Sequence, residues 1–184
     1  MNEPIKDATP ASGLAEILAP RLSVIFCGLN PALTAYLDGH NFSNRSNRFW
    51  RVLYLAGFTP RLLRAEEERE MLRYGLGLTS AVPRPTKSAS ELKKQDYVTA
   101  APVLEAKIRA LAPASLAFLG KAAYAAISLR TDIEWGRQPQ DFAGASIWVL
   151  PNPSGLNRAF DLARLTEHYR ALKLAIDQVS ACVE

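Results

Sequence analysis

Short apolar runs alternate along the chain with longer amphipathic stretches. Four of these runs are rich in β-branched or aromatic residues and predict buried strands, at residues 22–27, 76–82, 115–119 and 146–150. The intervening stretches carry apolar residues at helical spacing and predict helices at residues 47–56, 60–74, 88–111 (with an interruption near Pro102), 121–129 and 161–179. Strand and helix therefore alternate through most of the chain.

This alternation predicts an α/β fold, because parallel strands need crossover connections and helices usually supply them. We expect a three-layer α/β/α single domain around a short, mainly four-stranded parallel sheet. A length of 184 residues with 48% hydrophobic content suits one core. Residues 1–11 are polar, contain two prolines and are predicted to be disordered, which leaves residues 12–184 as the domain.

Composition excludes several classes of protein. No apolar run approaches the roughly 18–20 residues that span a bilayer, so we expect no membrane partner. The first residues lack an export signal, which predicts a cytoplasmic location. Cys27 and Cys182 cannot supply the roughly four protein ligands of a structural zinc or iron–sulfur site, so no metal is predicted. Phosphate-binding glycine motifs are also missing from the sequence, and no cofactor is expected.

Positive charge is concentrated in one part of the sequence. The whole chain carries a net +4, whereas residues 43–94 hold eleven basic and five acidic side chains, a net +6. Between residues 64 and 73 the two signs alternate at helical spacing, which is typical of a solvated helix face. Few acids accompany a second basic group, which is more typical of a surface that faces phosphates: Arg84, Lys87, Lys93 and Lys94.

Two loops that follow predicted strands carry unusual chemistry, and ligands of parallel α/β sheets bind beyond such strand ends. The first is Gly-Leu-Asn-Pro at residues 28–31, either an ordinary turn or a turn in which Pro31 restricts the backbone that carries the Asn30 amide. The second, Asn-Pro-Ser-Gly-Leu-Asn-Arg at residues 152–158, places Leu156 between polar residues. Leu156 either packs into the core or is an exposed apolar residue able to enter a DNA base stack.

Four segments occur in the order and spacing of a known family: VIFCGLNP, NRFW, LGKAAY and IWVLPNPSGLNR. From about residue 17 to 175 the chain resembles the mismatch-specific uracil/thymine-DNA glycosylases of the uracil-DNA glycosylase superfamily. The resemblance implies a monofunctional enzyme, without cofactor, that flips uracil, thymine or a related lesion out of double-stranded DNA. Hydrolysis of the N-glycosidic bond would leave an abasic site for base excision repair. A monomer is expected.

The resemblance also implies roles for residues of the first loop. Asn30 would position the attacking water, since an amide has no pKa that suits a general base. Phe42 would stack on the flipped base. The base pocket is expected to contain, besides Phe42, Gly28, Leu29, Pro31, Ala32 and Ala35. Ala32 stands where the family usually has glycine, and Ala35 and Tyr36 also depart from its pattern, which leaves acceptance of a 5-methyl group open.

The second loop would bind the DNA. Leu156 would fill the gap left by the flipped nucleotide, and backbone groups of Gly155 and Asn157 would face the unpaired base, normally guanine in this family. Arg158 would support Leu156 or reach a phosphate, and Asn152 and Ser154 would hold the loop or contact the DNA backbone. Phosphate contact is also expected from two lysines, Lys121 and Lys87, although Lys121 is equally compatible with a solvated surface.

Asp96 leaves two interpretations open. A carboxylate near the sugar could activate water or offset positive charge on the anomeric carbon, whereas an Asp close to two lysines is commonly an ion-pair partner on a helix surface. At the level of function, the alternative is a mismatch- or lesion-binding protein without catalysis, which would need Leu156 and the basic stretch but neither Asn30 nor Phe42. A nucleoside hydrolase would need no Leu156, and an iron–sulfur relative would need four cysteines.

Overall fold

The computed structural model describes residues 14–181, so the predicted disordered segment, residues 1–11, lies outside the described residues. Five strands form the sheet: β1 (Val24–Gly28), β2 (Leu76–Ser80), β3 (Ser115–Leu119), β4 (Gly136–Phe142) and β5 (Ala145–Leu150). The α-helices are α1 (Leu33–Asp38), α2 (Phe49–Leu55), α3 (Lys94–Leu111), α4 (Lys121–Ser128) and α5 (Leu162–Ala181). Two 3₁₀ helices cover Ala65–Tyr74 and Ala89–Glu91.

The sheet has the order β2-β1-β3-β5-β4. Its first four strands are parallel, with Val24 opposite both Leu76 and Ser115, and Ser115 opposite Ser146. These are the four strands that the apolar runs predict, and the α/β single-domain prediction is confirmed. The fifth strand, β4, makes the sheet mixed because it pairs antiparallel with β5.

Strand β4 has no apolar alternation in its sequence, Gly-Arg-Gln-Pro-Gln-Asp-Phe, and only Gln138 is buried there. It lies at the edge of the sheet, and its register with β5 shifts between Arg137 and Asp141, on either side of Pro139. An edge strand tolerates proline because one side of its backbone needs no partner strand. Hydrophobic patterning therefore could not predict it.

Apolar side chains cover both faces of the sheet. On one face Phe26 packs with Phe49 of α2, Phe58 and Tyr169 of α5. On the other face Ile25 and Cys27 share a second cluster with residues of α3 and α4, including Leu104, Ile108 and Tyr124. Strand β1 alternates its side chains between the two clusters, as expected for a central strand with helices on both sides.

Two predicted helices differ in detail from the observed ones. The helix expected from residue 60 begins at Ala65 as a 3₁₀ helix, where the Glu67 carboxylate accepts a hydrogen bond from the Arg64 backbone N–H. Helix α3 continues through Pro102, which lies on its exposed side where solvent can hydrate the carbonyl that proline leaves unbonded. Within residues 14–181, no helix is both long and apolar enough to cross a bilayer.

Because β1, β2, β3 and β5 are parallel, their carboxyl ends share one edge of the sheet. Besides Gly120, which joins β3 to α4, three loops leave that edge. We call them the Asn30 loop (residues 29–33), the β2 loop (residues 81–88) and the wedge loop (residues 151–160).

Candidate active site

A cavity of about 230 Å³ lies at this edge of the sheet. Every residue predicted for the base pocket lines it, together with Asn30 and two wedge-loop residues: Gly28, Leu29, Asn30, Pro31, Ala32, Ala35, Phe42, Asn152 and Ser154. The wall also contains polar residues to which the sequence gives no role, among them Thr34, Asn41, Asn44, Asn47 and Thr79. A volume of this size suits a single planar ring better than a larger ligand.

Backbone hydrogen bonds pair the Asn30 loop with the β2 loop. The Gly28 and Leu29 carbonyls accept from the N–H groups of Ala81 and Val82 at 2.8 and 2.9 Å. Further along, Thr86 donates its N–H to the Pro31 carbonyl (3.2 Å) and accepts the Leu33 N–H (2.9 Å). The two loops thus continue the pairing of β1 with β2 beyond the strand ends, which fixes the backbone around Asn30.

The Asn30 side chain is oriented by its own hydrogen bonds. Its amide nitrogen, Nδ2, lies 2.9 Å from the Arg84 carbonyl, 2.8 Å from Thr86 Oγ1 and 3.3 Å from the Pro31 carbonyl. Two of these partners are carbonyl oxygens, which only accept, so the nitrogen and not the oxygen of the amide must face them. The oxygen, Oδ1, is then the atom left to accept a hydrogen bond from a ligand or water.

Phe42 is held against the cavity wall by packing and by a turn. Its backbone has a φ of 54°, in the left-handed region that bulky residues rarely adopt. The ring stacks on Phe49 with centroids 4.1 Å apart and planes inclined by 30°. Phe42 is half-buried and lines the cavity, so it is available as an apolar surface for a planar base.

The residue before Phe42 is fixed by a buried carboxylate. Glu68, of the 3₁₀ helix, accepts hydrogen bonds from the Asn41 backbone N–H at 2.7 Å and from Asn41 Nδ2 at 3.0 Å. On the other side, Trp50 Nε1 donates to the Asn41 carbonyl at 3.2 Å. Glu68 is 6% exposed, and such a buried charge needs these donors. These contacts support the strained turn at Phe42.

Leu156 projects from the wedge loop with 90% of its surface exposed, which excludes the interpretation as a core residue. The loop around it is shaped by internal hydrogen bonds. Ser154 donates its N–H to Asn152 Oδ1, and its Oγ accepts the Leu156 N–H. Asn157 Nδ2 donates to the Asn152 carbonyl and the Asn157 N–H to the Ser154 carbonyl. Asn152 and Ser154 therefore hold the loop, and the Asn157 N–H faces into it.

Arg48, at the start of α2, contacts the wedge loop from below. Its side chain donates to four backbone carbonyls of that loop, and its backbone N–H donates to one of them, Pro153. Gly155 lies directly on Ser46, so that a Cβ atom at Gly155 would come within 2.6 Å of the Ser46 carbonyl oxygen. Absence of a side chain at residue 155 thus permits the close approach of the two segments.

Asp96 does not join Asn30 in the cavity. It lies in the neighbouring groove between the β2 loop and α3, where Oδ2 is 2.9 Å from Arg84 Nη2. The same oxygen accepts the Lys93 N–H at the start of α3. The Arg84 guanidinium, and after it the Lys93 N–H, holds the pKa of Asp96 below its usual range. Of the two interpretations of Asp96, the ion pair is the contact that the structure contains.

The sequence of residues 16–173 matches the family described as the uracil DNA glycosylase superfamily. The chain belongs to this superfamily. Its fold is similar to that in a solution NMR structure of a candidate uracil DNA glycosylase from Methanosarcina acetivorans, with a TM-score of 0.60 at 18% sequence identity. The similarity covers 88% of this chain and 98% of the archaeal one. Superfamily membership makes the chain a DNA glycosylase homologue and supports activity on uracil in DNA.

The remaining residues predicted to bind DNA lie on this glycosylase-superfamily domain outside the cavity lining. Lys121 begins α4, and its Nζ lies 4.9 Å from the centre of the Trp135 ring, so it is half-buried rather than fully solvated. Lys87, in the β2 loop, and Arg158, in the wedge loop, are exposed. Their side chains are accessible to phosphates.

Among the residues that the structure describes, no group of three His, Cys, Asp or Glu side chains is placed to bind a metal ion. Cys27 is fully buried, and burial raises the pKa of its thiol. A buried thiol of raised pKa is poorly reactive.

Three residues that organise the site are given no role by the sequence reading: Arg48, Thr86 and Glu68. Arg48 belongs to the segment Asn-Arg-Phe-Trp, which contributes to the family resemblance, but nothing in a single sequence indicates that its partners lie more than 100 residues away. Thr86 is similarly 56 residues from Asn30.

Proposed function

We propose that the protein is a mismatch-specific, monofunctional uracil-DNA glycosylase that acts as a monomer on double-stranded DNA in base excision repair. The observation that supports this most is the orientation of Asn30. Its amide nitrogen lies within hydrogen-bond distance of three acceptors. Oδ1 is left as a hydrogen-bond acceptor beside a base-sized cavity with an aromatic wall. A protein that only bound mismatches would not need an acceptor fixed in this way.

The chemistry that suits this site is dissociative. The bond between C1′ of the sugar and N1 of uracil breaks, and its electron pair leaves with the base as an anion. The sugar then carries oxocarbenium character, and water held by Asn30 Oδ1 adds to C1′ and loses a proton to solvent or to the departing base. An amide cannot take that proton itself, so Asn30 contributes position and a dipole directed at developing positive charge.

DNA engagement is assigned to the wedge loop and its surroundings. Leu156, which is 90% exposed on a loop with fixed backbone, suits insertion into the base stack after the target nucleotide leaves it. Gly155 would face the unpaired base, for which guanine is the family's usual partner. Asn157 directs its N–H to Ser154 and its carbonyl to Arg48, so we assign recognition of the unpaired base to Gly155 rather than to the Asn157 backbone.

Thymine is a less suitable substrate than uracil in this proposal. Ala32 and Ala35 both line the cavity, and Ala32 carries a methyl group where the family usually has glycine. A 5-methyl group on the base would add bulk at the same wall of the pocket. Uracil opposite guanine is therefore the expected best substrate.

The proposal is tested by alkali cleavage of abasic sites in DNA that carries uracil or thymine opposite guanine or adenine, or uracil in a single strand. We expect fastest strand cleavage with uracil opposite guanine. Asn30→Ala should lower single-turnover uracil release about 100- to 1,000-fold, the usual cost of a lost transition-state contact, while duplex affinity stays within about twofold. Duplex binding without any base release by the wild-type protein would instead indicate a non-catalytic mismatch-binding protein.

A further inference from the structure

We infer that Arg48 is a positioning residue that presets the wedge loop for insertion of Leu156. This inference rests on the proposed function. The guanidinium lies under the loop and donates from Nε to the Pro153 carbonyl (3.3 Å), from Nη1 to Phe160 (2.6 Å), and from Nη2 to Ser154 (2.7 Å) and Asn157 (3.0 Å). The four acceptors lie on both sides of Leu156 in the sequence.

The number of free N–H groups on Arg48 distinguishes this role from phosphate binding. A guanidinium has five N–H groups, and four hydrogen bonds from Arg48 go to carbonyls of the wedge loop. At most one donor is left for DNA. Arg48 is also half-buried, whereas Arg51, on the next turn of α2, is exposed. Although both belong to the basic stretch between residues 43 and 94, Arg48 serves the protein's own backbone.

The benefit of this arrangement is a loop that is already ordered before DNA binds. An exposed loop that must be ordered at the moment of insertion loses conformational entropy at that step, which lowers the population of the flipped state. With Arg48 in place, the carbonyls of the loop are fixed from inside while Leu156 stays exposed. Lysine cannot replace this function, because one ammonium cannot reach four carbonyls in a planar arrangement.

The first test measures order in the free protein. In Arg48→Gln, exchange of the Leu156 and Asn157 backbone amides with solvent should accelerate at least about tenfold, while exchange in β1 is unchanged. Both amides are hydrogen-bonded to Ser154 in the native loop, which makes them suitable reporters. Arg51→Gln, which removes the same charge from the same helix, should leave all of these rates unchanged. Unchanged exchange at both amides in Arg48→Gln would overturn the inference.

The second test measures function with two duplexes. One carries uracil opposite guanine, and the other carries it opposite a pyrene nucleotide, a bulky planar surrogate that pushes uracil out of the stack without help from Leu156. Arg48→Gln and Arg48→Lys should lower single-turnover uracil release from the first duplex about tenfold or more, the scale of losing charge-assisted hydrogen bonds. On the pyrene duplex both variants should come within about twofold of the wild type.

Several outcomes would contradict this role. An equal loss on both duplexes would place the Arg48 effect in the chemistry or the general stability of the fold. Full activity of Arg48→Lys, with a salt dependence of binding reduced by about one ion in Arg48→Gln, would indicate a phosphate contact instead. If the wild-type protein released no uracil from either duplex, the proposed function would fail, whereas the exchange experiment would still decide whether Arg48 orders the loop.

Discussion

The Asn30 loop and the wedge loop leave the same edge of one sheet but are held in different ways. Four backbone hydrogen bonds pair the Asn30 loop and the end of β1 with the β2 loop, and none of them requires a particular side chain. Side chains hold the wedge loop instead, with Arg48 donating to four of its carbonyls and Tyr169 to another, and Gly155 lacks a side chain where it meets the neighbouring segment. The geometry around Asn30 is therefore distributed over many peptide groups, whereas the wedge loop depends on few residues.

This difference matches the two tasks assigned to the loops. Water must be placed to within a fraction of an ångström for chemistry, and a continuous backbone pairing gives that accuracy. Leu156 must remain exposed and unpaired until DNA arrives, so its loop cannot be covered by another segment. Support from the inner side of the loop, chiefly by the Arg48 guanidinium, keeps its outer surface free. The two loops should thus respond differently to substitution and to the choice of substrate.

The largest expected effect that separates the loops is that of Leu156→Ala. Loss of about 2 kcal/mol of apolar contact in the base stack should slow uracil release from a guanine-uracil duplex about 30-fold. The pyrene duplex should restore the rate, because the surrogate performs the displacement. Leu129→Ala, at another exposed leucine (81% of its surface), is the matched control and should have no effect. A Leu156→Ala defect that persisted with pyrene would break the division between the two loops.

A smaller effect, which pyrene should not rescue, is expected from Thr86→Val. The substitution keeps the shape of a buried side chain and removes one of three acceptors for Asn30 Nδ2, so the amide is less firmly oriented. Uracil release should fall about five- to tenfold, the scale of one hydrogen bond. Single-turnover rates on the guanine and pyrene duplexes should fall equally, since the defect lies in water placement. Thr131→Val, at an exposed threonine, should match the wild type.

The smallest effect is expected from Asp96→Asn. Asp96 pairs with the guanidinium of Arg84, whereas Asn30 is held by the backbone carbonyl of Arg84. Loss of the Asp96 charge should therefore change uracil release less than about twofold. A decrease above tenfold on both duplexes would show that the carboxylate takes part in the reaction.

Asp96 also predicts a dependence of stability on pH. Arg84 lowers the pKa of Asp96 in the folded protein, so the ionised carboxylate stabilises the fold above its ordinary pKa. That contribution is lost as pH falls through the lowered pKa of the folded state. Urea unfolding should therefore separate wild type from Asp96→Asn at neutral pH and bring them together in acid. A difference that grew in acid would contradict the ion pair.

Sequence patterning predicts the parts of this molecule that depend on local rules. The run from Val24 to Cys27 has the composition of a buried central strand and forms one. Gly28 and Asn30 could be placed at a ligand site because they follow a predicted parallel strand, whereas Phe42 is assigned to the same pocket only through the family resemblance. The polar edge strand β4 could not be predicted in this way, because its sequence has no apolar face and it is held by pairing with β5.

Contacts over long sequence distances are the part that a single sequence conceals. Arg48 is one of several arginines in a basic segment, and only the folded chain distinguishes it from Arg51, one helical turn away. Leu156 presented the reverse problem. An apolar residue between polar neighbours is compatible with both a core and a surface position, and the fold places it on the surface.

The stretch from Phe42 to Arg48 has a consequence for how this fold can vary. Phe42 lies at the cavity and Arg48 lies under the wedge loop, so one short piece of covalent chain sets the spacing between the two. Ser46, between them, is in close contact with Gly155, so there is no space there for a further residue. An insertion there would either bulge away from this contact or displace Phe42 or Arg48 from its partners. In protein engineering, loop length in this stretch is therefore a variable to hold constant while side chains of the pocket are exchanged.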